Sequence, residues 1–365
     1  MDPTATSQPL SRVGRAAACA AGITILICGY NSASRLPATL QALAGLDRPT
    51  EFAVELLVID NASTDATAAV AERTLAALKP FFSYQVLYEV RPGKSRALEL
   101  GFAKARYRYV CIVDDDNLLA PSYLNLAWEI MEADPAIGVL GGAGEPLCEV
   151  MPPAWFPQFA IDYAAAPQAP CSGDVTQTNR FLYGAGMVLR KPAWDKMVSQ
   201  GFVSLVTEVR GSKPSGEDNE MCYALIFDGY KIWYDARLRF RHVISAQRLT
   251  WQFLCKTYRA NATSHVELRP WVHFLEVGAQ QPSRVPPLMW LRNGIYMLRY
   301  MFAFLGRALR RGELGKEGSA DSIRVFYYWQ SFKACMQKEL QRDRSFYQVQ
   351  KFIACLHHPL SNKSK

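Results

Sequence analysis

Tyr109-Val110-Cys111-Ile112-Val113-Asp114-Asp115-Asp116 is the stretch that decides the fold. Five apolar or aromatic residues in a row read as a buried strand. The three aspartates that end it repel one another, and a folded chain must offset that repulsion. A bound divalent cation is one compensator, since hard cations prefer carboxylate oxygens. An acidic turn with a helix cap is the other reading, because Asp is common at both. If the extended chain continues, alternation sends Asp114 and Asp116 to one side and Asp115 to the other.

Working outward, apolar runs alternate with helical patterns. Ile23 to Cys28 is a short apolar run ending in Gly29-Tyr30-Asn31-Ser32, followed by a helical stretch from about Arg35 to Ala44. Val54 to Ile59 ends in Asp60-Asn61-Ala62-Ser63-Thr64-Asp65, and the Ala-, Glu- and Leu-rich segment Ala66 to Lys79 reads as a helix with Thr64 or Asp65 as N-cap. Gln85 to Tyr88 is a weaker strand and Ser95 to Arg106 a helix. Strands alternating with helices predict βαβ units and a mostly parallel sheet, with ligands beyond the carboxyl ends of the strands. Asn31, Asp60 and the aspartate triplet all fall at such ends.

The middle is less regular. Ala136 to Leu140 and Tyr183 to Arg190 read as strands, and the Pro- and Ala-rich residues 145 to 180 as a long loop containing Trp155, Phe156 and Phe159. Gly211, Ser212, Pro214 and Gly216 mark a flexible loop, and Glu217-Asp218 opens a helix to about Phe227. Short strands are expected at Lys231–Tyr234 and Leu238–His242. Pro282, Pro286 and Pro287 mark a hinge. Beyond it, Leu288 to Arg311 reads as a helix on which Arg292, Arg299, Arg307 and Arg310 share an arc of roughly 80°. Such a helix either lies in a membrane interface or packs on the domain with its arginines in water. Ile323 to Leu356 reads as one or two more helices. The division expected is a loose tail (1–21), an α/β domain (22–275) and a C-terminal helical region (276–365).

The chain has 365 residues, half of them hydrophobic, enough for a sizeable core. A formal charge of +8 and a pI near 9.0 admit anionic lipid or phosphate-bearing partners. No zinc spacing or long basic run points to nucleic acid. The nine cysteines (19, 28, 111, 148, 171, 222, 255, 335 and 355) are odd in number and lack a CxxC pair, which fits a reducing compartment. Arg12 and Arg15 precede an apolar stretch too short for a signal peptide, and no run reaches eighteen apolar residues, so neither leader nor transmembrane helix is expected.

Four pieces, in order, resemble the family 2 glycosyltransferases of GT-A fold: Cys28-Gly29-Tyr30-Asn31, Asp60-Asn61-Ala62-Ser63-Thr64-Asp65, Val113-Asp114-Asp115-Asp116 as the DXD motif, and Ser215-Gly216-Glu217-Asp218. Tyr183-Gly184-Ala185-Gly186-Met187-Val188-Leu189-Arg190 resembles the family's segment before the acceptor site. The likeness covers roughly residues 22 to 245 and implies an α/β, Rossmann-like GT-A domain with a C-terminal helical extension. It implies an inverting transferase that uses a nucleotide-sugar donor, UDP-sugar favoured, and a glycan or lipid-linked acceptor. The setting it implies is the cytoplasm, with peripheral attachment at the inner face of a bacterial membrane.

The resemblance also assigns roles. Asp60 binds the nucleotide base, with Tyr30 and Asn31 nearby. Asp116 ligates Mn2+ or Mg2+; Asp114 holds the ribose, or the metal through water; Asp115 lies at the donor side but points elsewhere. His242 is a third metal ligand or a structural histidine. Asp218 is the general base, and Glu217, about 100° away on the same helix, lies with Gly186 and Trp155 toward the acceptor. Lys94 and Arg96, at a helix start, meet the diphosphate or base, or form a solvated cluster. Trp155 and Phe156 stack on the acceptor or pack in the core. Two departures stand out: Cys28 where many relatives have Pro, and Glu99 where many have Asn. The competing classes are a sugar-1-phosphate nucleotidyltransferase, which wants a basic Gly-rich loop in place of Gly29-Tyr30-Asn31-Ser32, and a non-catalytic binding protein on the same fold.

Overall fold

In a computed structural model, residues 19–206, 216–277, 288–337 and 339–357 are described, excepting the side chains of 339–343 and 357. Ser215, the glycine- and proline-marked loop before it, and the Pro282–Pro287 hinge lie outside these residues, as does most of the expected N-terminal tail.

The first four strands follow the predicted alternation: β1 Ala20–Gly29, α1 Leu36–Ala44, β2 Ala53–Asn61, α2 Thr67–Leu78, β3 Ser83–Glu89, α3 Lys94–Lys104 and β4 Tyr107–Val113. The short β5, Asn117–Leu119, comes next, then α4 Tyr123–Ala133, β6 Ile137–Cys148, α5 Phe156–Phe159 and β7 Gly173–Asp174. Then come β8 Val188–Arg190, α6 Lys191–Ser199, α7 Glu217–Phe227, β9 Lys231–Ile244 and α8 Trp251–Val277. The last helices are α9 Met289–Arg310, α10 Ala320–Gln337 and α11 Glu339–His357.

The nine strands form one sheet in the order β3-β2-β1-β4-β8-β6-β9-β5, with β7 beside β9. β3, β2, β1 and β4 pair in parallel, as do β6 and β9, while β8 runs against both its neighbours and β5 and β7 against β9. Residue alternation builds a core on each face. Ile23, Ile25 and Ile27 with Tyr109, Cys111 and Val113 meet α1, α2 and α4. Leu26, Val110 and Ile112 join α3, α6, α7 and α8 on the other. Parallel strands buried on both faces need such near-continuous apolar runs.

Several boundaries differ from expectation for local reasons. Only the last three residues of the Tyr183–Arg190 segment are strand, because Gly186 turns the chain at φ +72°. A Cβ at Gly186 would lie 2.5 Å from the Tyr123 hydroxyl, which donates to the Gly186 carbonyl at 2.6 Å, so only glycine fits. The two strands expected after residue 230 are one, β9, interrupted in register where Asp235 Oδ1 accepts from the Arg237 backbone N–H. The α2 N-cap is Ala66, without a side-chain cap bond; Asp65 Oδ1 instead accepts from Thr67 N–H at 3.0 Å, inside the first turn. The 27-residue α8, with Pro270 inside it, carries no clean apolar period and was not expected.

Candidate active site

The sheet's carboxyl ends gather the expected residues, but into separate groups. β4 stops at Val113 and Asp114 enters a tight turn, its carbonyl accepting from Asn117 N–H and its own N–H donating to Asn117 Oδ1. Strand alternation therefore does not continue, and although Asn117 bonds both the Asp114 backbone and the Asp116 carboxylate, the two carboxylates do not share a partner. Asp114 Oδ1 accepts from Lys94 Nζ at 2.9 Å. Asp115 is bound by the Ser32 hydroxyl and by Arg35 Nη2 at 2.6 Å, so it ties β4 to the β1–α1 loop. Asp116 Oδ1 faces His242 Nε2 at 3.2 Å, and its Oδ2 accepts from Arg248 Nη1 at 2.8 Å.

Lys94 sits at the first position of α3, held in place by the preceding loop. Buried Asn61 accepts from Gly93 N–H at 2.6 Å and donates to the Arg91 carbonyl at 2.7 Å. The Lys94 ammonium also lies 3.4 Å from Glu217 Oε1. Burial would lower the lysine pKa, but Asp114 and Glu217 reverse that and raise it well above its usual value. Arg96 turns outward into an exposed pair with Glu99, a bond of small net value.

Asp218 opens α7 after Gly216, which takes φ +120°. Asp218 Oδ2 accepts from the Gly184 backbone N–H at 3.0 Å, which joins the glycine-rich segment to the acidic pair. Burial first, and the Glu217 charge second, push its carboxyl up to about 6, against the downward pull of Lys94 and of the Asn219 and Gly184 N–H groups. A carboxylate so tuned can accept a proton from an attacking hydroxyl near neutral pH. Near Lys94, burial pushes the Cys28 thiol up to about 12, keeping it protonated.

Among the described residues no group of three or more His, Cys, Asp and Glu is gathered as a metal cluster. Asp114, drawn to Lys94, is not brought to Asp116 and His242. The latter two still fit a cation. Two Lewis-base atoms face each other at 3.2 Å in a buried setting, and His242 Nδ1 is buried without a partner among the described residues. A guanidinium stands there: Arg248 Nη1 is 2.8 Å from Asp116 Oδ2 and 3.2 Å from His242 Nε2. Burial works to raise the Asp116 carboxyl, but His242, Arg248 and Arg35 hold it down to about 2. Two protein ligands suit an open site completed by phosphate oxygens and water.

The remaining candidates have structural partners. Asp60 Oδ1 accepts from Ser63 N–H at 3.1 Å, closing the turn after β2. Asn31, at φ +49°, accepts from Thr64 N–H at 2.8 Å, and Tyr30 beside it is half-exposed. Trp155 donates to Glu317 at 2.7 Å and packs edge-on against Trp251, while Phe156 is buried against Tyr163. Sequence reasoning missed Arg248, on a short turn after β9 that carries no periodic signal. It also missed Glu220, one turn beyond Glu217. Glu220 is buried and accepts from Ser204, from Leu205 N–H at 2.7 Å and from Trp271 Nε1 at 3.0 Å.

Residues 24–193 match the profile of Glycosyl transferase family 2. A poly-beta-1,6-N-acetyl-D-glucosamine synthase of Staphylococcus epidermidis is 29% identical over 125 residues, 33% of this chain and 28% of the relative, so the match spans under a third of that protein. A mannosyltransferase from Pyrobaculum calidifontis, solved with GDP-Man and Mn2+, superposes with a TM-score of 0.52 at 17% identity, covering 93% of this chain and 86% of the other. S. aureus TarS 1-349, solved with UDP-GlcNAc, gives 0.49 at 15% identity over 85% and 90%. The architecture is the GT-A fold. Residues 24–193, just under half of the chain, are thus similar to the family 2 glycosyltransferases.

Proposed function

We propose that the protein is an inverting glycosyltransferase that moves a sugar from a nucleoside diphosphate sugar, a UDP-sugar first, to a hydroxyl of a glycan or lipid-linked acceptor. Its setting is polysaccharide assembly in a bacterial cytoplasm, with peripheral attachment to the membrane. The observation that carries this reading is Asp218: buried, raised to about 6, and fixed by Gly184 N–H beside the Lys94–Asp114 pair.

Asp218 takes the proton from the acceptor hydroxyl as that oxygen attacks the anomeric carbon. The bond to the departing diphosphate breaks on the opposite side, which inverts the centre. Gly184 N–H on Oδ2 and Asn219 N–H on Oδ1 fix the carboxylate, and each oxygen keeps a further lone pair for the acceptor hydroxyl. Lys94, pinned between Asp114 and Glu217, sets a positive charge at the end of β4 where the donor enters. Asp116 and His242 would hold Mn2+ or Mg2+, whose chemistry is to neutralise charge on the leaving diphosphate. Asp60, at the end of β2, is the base-binding candidate.

Support for the class comes from the family match and from the relative, a polysaccharide synthase by name. The mannosyltransferase structure makes GDP-mannose the second donor to test. The test is nucleoside diphosphate release from UDP-N-acetylglucosamine, UDP-glucose and GDP-mannose, with Mn2+ present or chelated, for wild type and Asp218→Asn. Release by the variant at the wild-type rate would overturn the base assignment, and no release from any donor would overturn the reading.

A further inference from the structure

The α9 helix uses its two sides differently. Met289, Asn293, Gly294, Met297 and Ala308 are buried, and Tyr300 and Phe304 stack on Tyr328 of α10 at 5.3 and 5.6 Å. The far side keeps large apolar side chains in solvent: Leu291 is 39% exposed, Ile295 53%, Phe302 59% and Leu309 58%. At 100° per residue these four fall in one stripe about 40° wide. Arg292, Arg299 and Arg310, all exposed, form a second stripe roughly 70° further round. Arg307 and Arg311 are paired with Asp321 at 3.3 and 3.0 Å. Among the described residues the three stripe arginines have no carboxylate within ion-pair distance, and α9 itself contains no acidic residue.

An ordinary surface helix turns one apolar stripe inward and presents polar groups to water. Here α9 has an inward apolar face and a second, outward apolar stripe edged by charge of one sign. Each large apolar side chain left partly in water forgoes part of the stabilisation that burial would give it. An anionic bilayer satisfies both stripes, taking the apolar one among its acyl chains and the arginines at its phosphates. A second copy of the chain is a poorer occupant, because a twofold contact of the stripe with itself brings like arginines together. No helix of the described residues is long and apolar enough to cross a membrane.

Further exposed apolar side chains lie beyond α9. Leu314 is 47% exposed in the α9–α10 connection, whose Glu317 and Gly318 lie against Trp155. Trp155 follows the exposed Val150 and Met151, which come just after β6, the strand whose Pro146 is the register partner of His242.

We propose that the outward face of α9 docks the enzyme on an anionic lipid bilayer. This goes beyond the transfer reaction and rests on the peripheral setting proposed for it. The test is co-sedimentation of the full chain with vesicles of phosphatidylcholine alone or mixed with phosphatidylglycerol. Wild type is expected to pellet with the mixed vesicles and to be released by salt. Leu291→Ser with Ile295→Ser and Phe302→Ser is expected to weaken binding at least about tenfold, from lost apolar insertion. Arg292→Gln with Arg299→Gln and Arg310→Gln is expected to abolish the preference for phosphatidylglycerol. Thermal melts check that each variant folds, and Ile295→Glu alone repeats the test at one exposed site. Wild type that stays in solution with both vesicles, or variants that bind as well as wild type, would overturn the proposal. So would a wild-type dimer in light scattering that the same substitutions dissolve. Nucleoside diphosphate release without vesicles reads the transfer reaction separately, so either inference can fail alone.

Discussion

Asp218 holds its proton more tightly than a free carboxyl because it is buried and because Glu217 adds a like charge. A base must be ionised to act, so the rate is expected to rise through about pH 6 and level above it. Removing the like charge with Glu217→Gln lowers the Asp218 pKa, and the acid limb of a pH–rate profile should move to lower pH. Asp218→Asn should cost about 10²- to 10⁴-fold in transfer while UDP affinity, read by calorimetry, holds. Arg248 is the residue the sequence hid. The aspartate triplet announces itself by crowding three charges after an apolar run, whereas Arg248 is one arginine on a turn, and only the folded chain brings it to Asp116. Its guanidinium stands where a divalent cation fits. Arg248→Gln should therefore tighten Mn2+ binding in nucleotide-free protein by roughly tenfold, since a like charge a few ångströms away is removed. Electron paramagnetic resonance of free Mn2+ measures this, and unchanged or weaker binding would show that the arginine does not compete.

The parallel elements β1 to β4 were legible because strands buried on both faces leave unbroken apolar runs, and Asp60 and the triplet mark their ends. The start of β8 was not: its three residues, the end of the expected Tyr183–Arg190 strand, sit beyond a glycine turn whose need comes from Tyr123, 63 positions earlier. α8 was not legible either, since residues 251–277 mix polar groups on every side and are covered by other helices. The junction of α7 and α8 depends on Glu220, a buried carboxylate with donors from Ser204, Leu205, Val206 and Trp271. Glu220→Ala leaves those donors unpaired and should cost about 3 kcal/mol in denaturant unfolding. Burial first raises its carboxyl from 4.5 to about 7, the hydrogen bonds only partly opposing it. Because the folded value is the higher one, this group stabilises below pH 4.5, and the contribution is lost as pH rises through about 7. Glu220→Gln, which does not titrate, should flatten the pH dependence of stability across that window.

At the scale of the whole molecule, the C-terminal helices share a core with the α/β layers. Met289, Phe346, Phe352 and Ile353 lie in one cluster with Leu268, Trp271 and Phe274 of α8 and with Trp194 and Met197 of α6. Each such side chain contributes about 1.5–3 kcal/mol when buried. A chain truncated after Val277 is therefore expected to melt well below the full protein or to aggregate, as differential scanning fluorimetry would show. Sheet order has a further consequence for how the protein is made. Residues up to Val113 complete β3-β2-β1-β4 with local crossovers, and this half can fold while the chain is still being synthesised. His242 and Arg248 emerge long afterwards, so the end of the site proposed to meet the base is built early and the end proposed to meet the cation late. A nascent chain halted between β4 and β9 would keep Lys94 for Asp114 and Arg35 for Asp115 but leave Asp116 without His242 and Arg248, and it is at that stage that a cation or a chaperone has most to offer it.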